Sequence, residues 1–162
     1  MTPDIEKLVG EVVDAARSRG VRIVTAESCT GGLVAAALTS VAGSSDVFEA
    51  GLVTYSNEAK ADLLGAPADL IARRGAVSAQ AARAMAEGAI ERTRAALAVA
   101  VTGIAGPGGG SVEKPIGLVY FATALAGGET LLHREVFAGR DRAGVREAAT
   151  CTALELLMDR LE

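Results

Sequence analysis

Apolar and polar positions in the first third of the chain follow helix and strand spacings in turn. Apolar residues recur at helical spacing over residues 5–16, and Gly20 ends the pattern, which predicts a helix. The β-branched run over residues 21–26 predicts a strand, and a second helix is expected from about residue 32 to 41. Residues 47–55 predict a further strand.

Turn and cap residues divide the middle of the chain into short helices. Ser56 or Asn57 is suited to cap a helix that ends at Gly65. Pro67 opens another short helical piece, and Ser78 caps a longer helix that runs to about residue 92. The continuous apolar run that follows, over residues 95–102, is typical of a strand buried on both faces of a sheet.

The last third of the chain predicts a hairpin and a helix. A glycine-rich loop over residues 103–111 interrupts the apolar pattern, and runs 116–125 and 130–137 flank the turn signal Gly127-Gly128. Asp141 is suited to cap a final amphipathic helix. This order predicts an α/β fold: a single-domain three-layer α/β/α sandwich over residues 1–162, with a mixed, mostly parallel sheet and a C-terminal β-hairpin plus helix.

Composition narrows the functional classes. A net charge of −4 argues against a nucleic-acid partner, and no apolar run reaches the length of about 20 residues that a membrane helix requires. Cys29 and Cys151 are the only cysteines, which predicts reduced thiols in a cytoplasmic protein. His133 is the sole histidine and no Cys/His cluster is present, so no metal site is expected.

The first candidate site is the polar turn over residues 25–32, between a buried strand and a helix. The N–H groups and dipole of a helix N-terminus favour negative charge, so Ser28 is a candidate nucleophile with nearby N–H groups as an oxyanion hole. The alternative is that Ser28 or Thr30 only caps the helix. Cys29 is a rival nucleophile, although an isolated cysteine is more often a small buried residue.

A serine nucleophile requires a base, and the chain offers two kinds. One is His133, which lies inside a predicted strand; the other is a lysine, because a desolvated amine can lose its proton and a guanidinium effectively cannot. Among the basic residues thirteen are arginine and three are lysine, so a lysine inside a candidate loop suggests a need for a deprotonatable amine. An ordinary surface lysine remains the alternative.

The second candidate loop, residues 54–60, contains such a lysine. Lys60 is expected about one turn into a helix, Tyr55 to hold or relay a proton, and Asn57 to bind an amide. The alternative is structural: Tyr55 packs, Asn57 caps the helix, and Glu58 complements its N-terminus.

The third candidate loop, residues 102–111, is rich in glycine, which permits close approach of the backbone to a phosphate or a sugar. It fits neither the P-loop nor the dinucleotide-binding pattern.

Arg140, Arg142 and Arg146 cluster at the start of the last helix, where cations oppose the helix dipole. A bound anion would offset that penalty; pairing with Asp141, Glu135 or Glu147 is the alternative.

Together these loops resemble the CinA C-terminal domain family, the bacterial nicotinamide-mononucleotide deamidases, in its stand-alone form. The resemblance rests on four segments that follow one another along nearly the whole chain: Thr25-Ala26-Glu27-Ser28-Cys29-Thr30-Gly31-Gly32, Thr54-Tyr55-Ser56-Asn57-Glu58-Ala59-Lys60, Gly75-Ala76-Val77-Ser78, and Gly103-Ile104-Ala105-Gly106-Pro107-Gly108-Gly109-Gly110 continuing to Glu113-Lys114-Pro115. Four such segments in series are far more specific than any one loop.

The resemblance implies hydrolysis of the carboxamide of nicotinamide mononucleotide, with Ser28 as nucleophile, Lys60 as general base and Tyr55 handling a proton. It implies no cofactor and no metal, a small-molecule nucleotide substrate and a homodimer. An oxyanion hole is expected at the Gly31-Gly32 turn. The substrate-binding residues that we expect are Glu27, Thr30, Gly31, Asn57, Thr102, Gly103, Gly106, Arg142 and Arg146.

Two points stay open at the level of sequence. Family members place glycine where Arg140 stands, so the phosphate-binding arginine is undecided among Arg140, Arg142 and Arg146. The main alternative function is a non-catalytic nucleotide-binding regulatory module, which would be expected to lack Ser28 or Lys60; both are present, which favours the enzyme. An amidase that acts on another small amide would use the same residues and stays open.

Overall fold

Five strands form the central sheet of the computed structural model, which describes residues 1–162. They are β1 (Ile23–Glu27), β2 (Phe48–Val53), β3 (Leu97–Gly103), β4 (Leu118–Leu125) and β5 (Thr130–Val136). Their order in the sheet is β2-β1-β3-β4-β5. β1 pairs in parallel with β2 and β3, whereas β4 is antiparallel to both β3 and β5. Only β4 therefore runs against the other strands, which confirms the mixed, mostly parallel sheet and the hairpin.

Six α-helices cover the sheet: α1 (Pro3–Arg19), α2 (Leu33–Thr39), α3 (Asn57–Leu64), α4 (Ala68–Arg74), α5 (Ala79–Arg92) and α6 (Arg142–Leu161). Four begin at a side chain that accepts a backbone N–H of the first turn, namely Thr2, Ser56, Ser78 and Asp141. α1 and α3 end at Gly20 and Gly65, both in the left-handed conformation. No helix combines the length and the apolar character needed to cross a membrane.

The two faces of the sheet carry side chains of different size. Against α1, α2 and α6 the sheet presents larger residues, among them Ile23, Val99 and Phe121. On the face that packs against α5 the sheet presents mainly alanines, and α5 packs against them with alanines and Met85. A Cβ added at Gly88 of α5 would overlap the carbonyl oxygen of Leu64, so α5 approaches α3 backbone to backbone. Helices on both faces of one sheet confirm the three-layer sandwich.

The carboxyl ends of β1, β2 and β3 lie at one edge of the sheet, because these three strands are parallel neighbours. Glu27 pairs with Val53 and with Val101 in the register, so the residues after each strand begin at the same level. The polar turn, the loop before α3 and the glycine-rich loop therefore converge, as ligand-binding loops do in open α/β sheets.

Candidate active site

A cavity of about 270 Å³ lies where the three loops converge. Ser28, Tyr55, Lys60, Thr102 and Arg142 line it, together with the glycine-rich loop and residues 76–77. We call it the serine cavity. The structure thus brings together all three residues predicted to be catalytic, from three different segments of the chain, at one edge of the sheet.

Lys60 is almost fully buried beside the cavity, with 1% of its surface exposed. Its amine Nζ lies 3.0 Å from Ser28 Oγ, 2.8 Å from the carbonyl oxygen of Thr54 and 3.3 Å from that of Tyr55. Burial lowers the pKa of Lys60 below its usual value, and the smaller opposing effect is the negative charge of an ionised Cys29 thiol. The ammonium form of Lys60 donates to all three oxygens. In the neutral form two N–H donors serve the two carbonyls, and the lone pair accepts the Ser28 hydroxyl.

Cys29, the rival nucleophile, is buried beside Ser28. Burial raises the pKa of its thiol to about 11, and Glu27 acts in the same direction. The thiolate is the nucleophilic form of cysteine, so this environment disfavours attack by sulfur at neutral pH. The geometry therefore favours Ser28 over Cys29.

Glu27 holds the turn that follows Ser28. Its carboxylate is fully buried and accepts the Thr30 hydroxyl at 2.7 Å, together with the N–H groups of Gly32, Val34 and Ala35 at 2.8–3.1 Å. This carboxylate thus replaces the missing side-chain cap of α2, whose N-cap is a glycine. Both oxygens of Glu27 are hydrogen-bonded within the protein, and neither Glu27 nor Thr30 lines the cavity.

The prediction of an oxyanion hole at the Gly31-Gly32 turn was wrong, because both N–H groups are already used within the protein. The N–H of Gly31 donates to the carbonyl oxygen of Ser28 at 3.0 Å, and that of Gly32 donates to Glu27. The N–H of Cys29, by contrast, donates to no other residue, and the same holds for Ala105 and Gly106 in the glycine-rich loop. All three residues line the serine cavity, so donors for a developing oxyanion are present there.

Tyr55 lies at the mouth of the cavity, with 58% of its surface exposed. Its hydroxyl accepts a hydrogen bond from Arg142 at 2.9 Å, and the same guanidinium donates to the carbonyl oxygen of Gly106 at 2.7 Å. Arg142 therefore ties the start of α6 to both neighbouring loops. Since the guanidinium supplies the donor, the phenolic O–H of Tyr55 is left to donate to another group.

A second, wider cleft of about 640 Å³ adjoins the serine cavity and shares Ala105 and Arg142 with it. Arg140 and Arg146 also line this arginine cleft. None of the three arginines forms an ion pair: Arg142 and Arg146 donate to carbonyl or hydroxyl oxygens, and Arg140 lies 6.0 Å from the ring of Phe137. The Asp141 side chain caps α6. Pairing with Glu135 or Glu147 is thus not found, and the cleft keeps a positive charge suited to an anion.

Other predicted residues lie elsewhere or support the walls. Asn57 is the exposed first residue of α3, and Ser56 is the residue that caps this helix. Neither Asn57 nor Gly31, which lies in the turn after Ser28, lines the cavity. Gly103 and Gly106 line the cavity directly. His133, the alternative base, lies on β5 at the far edge of the sheet, where its Nε2 is 2.9 Å from Glu135.

The segment over residues 75–78, which matched the family without a predicted role, forms one wall of the cavity through Ala76 and Val77. The Thr102 hydroxyl donates to the carbonyl oxygen of Ala76 at 2.7 Å, and Lys114 donates to that of Arg74 at 2.7 Å. Only the resemblance marked this segment in the sequence, because its contribution is backbone and small side chains without reactive groups.

Comparison with known proteins identifies relatives over nearly the whole chain. Residues 5–161 match the CinA C-terminal domain family. The nicotinamide-nucleotide amidohydrolase PncC of Escherichia coli K12 is 51% identical over 154 residues, which cover 95% of this chain and 93% of that protein. A CinA-like protein of Mycolicibacterium gilvum is 54% identical over 151 residues, but they cover only 36% of that longer protein.

Solved structures show the same fold. The competence/damage inducible protein CihA from Agrobacterium tumefaciens superposes with a TM-score of 0.96 at 50% identity, covering 98% of this chain and 96% of that one. A CinA superfamily protein from Klebsiella pneumoniae superposes with a TM-score of 0.92 at 37% identity, covering 97% of each chain.

Proposed function

We propose that this chain, which belongs to the CinA C-terminal domain family, hydrolyses the carboxamide of nicotinamide mononucleotide to nicotinate mononucleotide and ammonia. The observation that carries the proposal is the buried amine of Lys60, 3.0 Å from Ser28 Oγ, in a chain 51% identical to a nicotinamide-nucleotide amidohydrolase. An amide has a poor leaving group, so catalysis must both activate the attacking oxygen and protonate the departing nitrogen.

In the first half of the proposed reaction the neutral amine of Lys60 takes the proton of Ser28 Oγ as that oxygen attacks the carboxamide carbon. The N–H of Cys29, the residue after the nucleophile, and those of Ala105 and Gly106 are the free donors for the tetrahedral oxyanion. Such donors are typically worth about 3 kcal/mol each in transition-state stabilisation. The Lys60 ammonium returns its proton to the nitrogen, ammonia leaves, and the nicotinoyl group stays esterified to Ser28.

In the second half the Lys60 amine takes a proton from water as the water oxygen attacks the ester carbonyl. Ser28 Oγ leaves with the proton from the Lys60 ammonium, and the carboxylate of the product is released. For the first half we assign Tyr55 to relay the proton from the Lys60 ammonium to the leaving nitrogen: its phenolic O–H donates to the nitrogen and is restored by the ammonium, and Arg142 occupies its acceptor position. This chemistry uses only side chains and backbone groups of the chain.

The two connected cavities suit the two ends of a nucleotide. The carboxamide ring enters the serine cavity, between Thr102, Gly103 and Gly106, and the phosphate enters the arginine cleft. Uncompensated guanidinium groups are strong partners for phosphate. This arrangement supports an anionic nucleotide over a neutral amide as the substrate.

We also propose that residues 1–162 form one amidohydrolase domain that works in the cytoplasm as a homodimer. Both cysteines are free thiols, which fits a reducing compartment. Leu33, Val53 and Tyr55 are exposed apolar or aromatic side chains near the bare edge of β2, and they are available to a second copy.

The test measures ammonia released by purified protein from nicotinamide mononucleotide, free nicotinamide and a generic aliphatic amide, each with and without EDTA. We expect release from the mononucleotide above all, at a rate that EDTA leaves unchanged. Equal rates on all three amides would contradict the nucleotide specificity. A rate abolished by EDTA and restored by a divalent ion would contradict the Ser28–Lys60 mechanism.

A further inference from the structure

Arg146 contacts the backbone that follows the nucleophile. From its position in α6, its Nε donates to the carbonyl oxygen of Cys29 at 3.1 Å, and one terminal nitrogen donates to that of Thr30 at 3.3 Å. These bonds join residues 116 to 117 positions apart in sequence. Two of the three nitrogens of the guanidinium, including Nε, are therefore engaged by the turn, which anchors Arg146 to the backbone that follows the nucleophile.

The turn is held from two sides. Glu27 accepts the N–H groups and the hydroxyl on the inner side, and Arg146 donates to the carbonyls on the other. A Cβ at Gly31 would come within 3.2 Å of the Arg146 guanidinium, and the φ of Gly31 is +60°, so glycine suits this contact. Of the polar backbone groups around the Ser28–Cys29 bond, the N–H of Cys29 is left free for the substrate.

The other two arginines of the cleft make no hydrogen bond to the turn that follows the nucleophile. Arg140 is exposed and makes no side-chain hydrogen bond, and Arg142 contacts Gly106 and Tyr55 at the boundary between the two cavities. A phosphate in the cleft can reach donors on both without displacing a bond to the nucleophile turn.

We propose that Arg146 is a positioning residue that fixes the Ser28 turn for attack, and that Arg140 and Arg142 bind the phosphate. The proposal rests on the proposed function and assigns one of its expected substrate ligands to a different task. Arginine suits this position because its planar fork donates to two carbonyls at once, whereas a lysine amine is a compact, flexible donor. Loss of the contact would let the turn move, and small displacements of a nucleophile are costly to catalysis.

The experiment compares two substrates that differ only in the phosphate, nicotinamide mononucleotide and nicotinamide riboside. Arg146→Met, Arg146→Lys and Arg140→Met are assayed on both, with Arg94→Met as the control for removing an exposed arginine far from the site. A positioning residue acts on the chemical step for either substrate. We therefore expect Arg146→Met to lower kcat by about the same factor on both, at least tenfold, and Arg146→Lys to recover part of that loss.

Arg140→Met should instead raise KM for the mononucleotide and reduce its advantage over the riboside. A loss in Arg146→Met that is confined to the phosphorylated substrate would overturn the proposal, since it would make Arg146 a phosphate ligand. Thermal unfolding is measured in parallel to show which variants fold. If Arg146→Met does not fold, kcat and KM of Arg146→Lys on the two substrates distinguish a positioning residue from a phosphate ligand. Retention of the wild-type kcat in Arg146→Lys on both substrates, with a raised KM for the mononucleotide alone, would also overturn it.

Labelling of Ser28 by a fluorophosphonate provides a readout that does not depend on the identity of the substrate. We expect the labelling rate to fall in both Arg146 variants and to stay unchanged in Arg94→Met. If the wild-type protein is labelled but releases no ammonia from the mononucleotide, the proposed function fails and the positioning role is still decided by the labelling rates. Labelling of Arg146→Lys at the wild-type rate would count against positioning.

Discussion

The amine of Lys60 lies 3.0 Å from the hydroxyl of Ser28, although 32 residues separate them in sequence. Their proximity follows from the sheet: β1 and β2 are parallel neighbours, and Glu27 at the end of one pairs with Val53 at the end of the other. Ser28 begins the next turn, and α3 brings Lys60 back over the same edge. Because burial lowers the pKa of Lys60, the pair joins a nucleophile to an amine that loses its proton more readily than an exposed lysine does.

The first prediction separates the two adjacent candidate nucleophiles. Ser28→Ala should lower kcat by at least about a thousandfold, because the attacking oxygen is removed, and it should leave the fold intact. Cys29→Ala should keep most of its activity, since the thiol is buried and protonated. Steady-state kinetics and far-UV circular dichroism on both variants make the comparison. Inactivation by Cys29→Ala, with activity retained in Ser28→Ala, would point to sulfur as the nucleophile.

A second prediction concerns pH. Activity requires neutral Lys60, which is present above its pKa, and burial lowers that pKa below 10.5. We therefore expect kcat/KM to rise with pH along a single-proton limb whose midpoint lies below 10.5, and to level off above it. The matched control is Tyr55→Phe, which removes the other candidate proton carrier. The limb should keep its midpoint in this variant at a lower plateau; a displaced or missing limb would assign the titration to Tyr55.

The sequence was sufficient to predict the order of elements and which polar loops follow the buried strands. Helix caps act on neighbouring residues only, so they can be predicted from one sequence. This holds for the N-caps Ser56, Ser78 and Asp141 and for Gly20 at the end of α1. Strand and helix ends were less exact: the strand predicted over residues 21–26 spans Ile23–Glu27, since sheet pairing sets its limits. Parallel strands then require the following loops to converge.

The sequence was not sufficient to predict which polar groups the protein itself would use. The helix N-terminus after Ser28 looked open to an anion, but the carboxylate of Glu27 already binds its N–H groups. Arg146 looked like a phosphate ligand, yet it reaches back to the carbonyl oxygen of Cys29. Both contacts depend on how the side chains pack in three dimensions, which neither composition nor spacing encodes.

Two helical glycines provide a prediction about packing. Gly10 lies within α1 and has open space where a Cβ would be, whereas a Cβ at Gly88 in α5 meets the carbonyl oxygen of Leu64. Replacement by alanine raises the helix propensity equally at the two positions, so the two variants differ only in the steric contact that the new Cβ makes. Gly10→Ala should stabilise the protein by about 0.5–1 kcal/mol, and Gly88→Ala should destabilise it by about 1–3 kcal/mol. Urea unfolding measures both, and equal shifts would contradict the close approach of α5 and α3.

The last prediction tests whether Lys60 acts as a base or only as a positive charge. Lys60→Arg keeps the charge and much of the volume but removes the base, because a guanidinium stays protonated in proteins. Loss of a general base typically lowers turnover by at least about a hundredfold, and we expect a decrease of that size in kcat. KM should change far less, since the arginine cleft and the glycine-rich loop are untouched.

Lys114→Arg is the matched control for this change. Lys114 also lies in one of the loop segments that carry the family resemblance, but its amine donates only to the carbonyl oxygen of Arg74, a role that a guanidinium can fill. We expect this variant to keep most of its activity. Thermal unfolding of both variants shows whether the larger head group at the buried position disturbs the fold. A folded Lys60→Arg enzyme with near wild-type kcat would mean that Ser28 is activated without proton transfer to Lys60, whose amine would then act only through its charge.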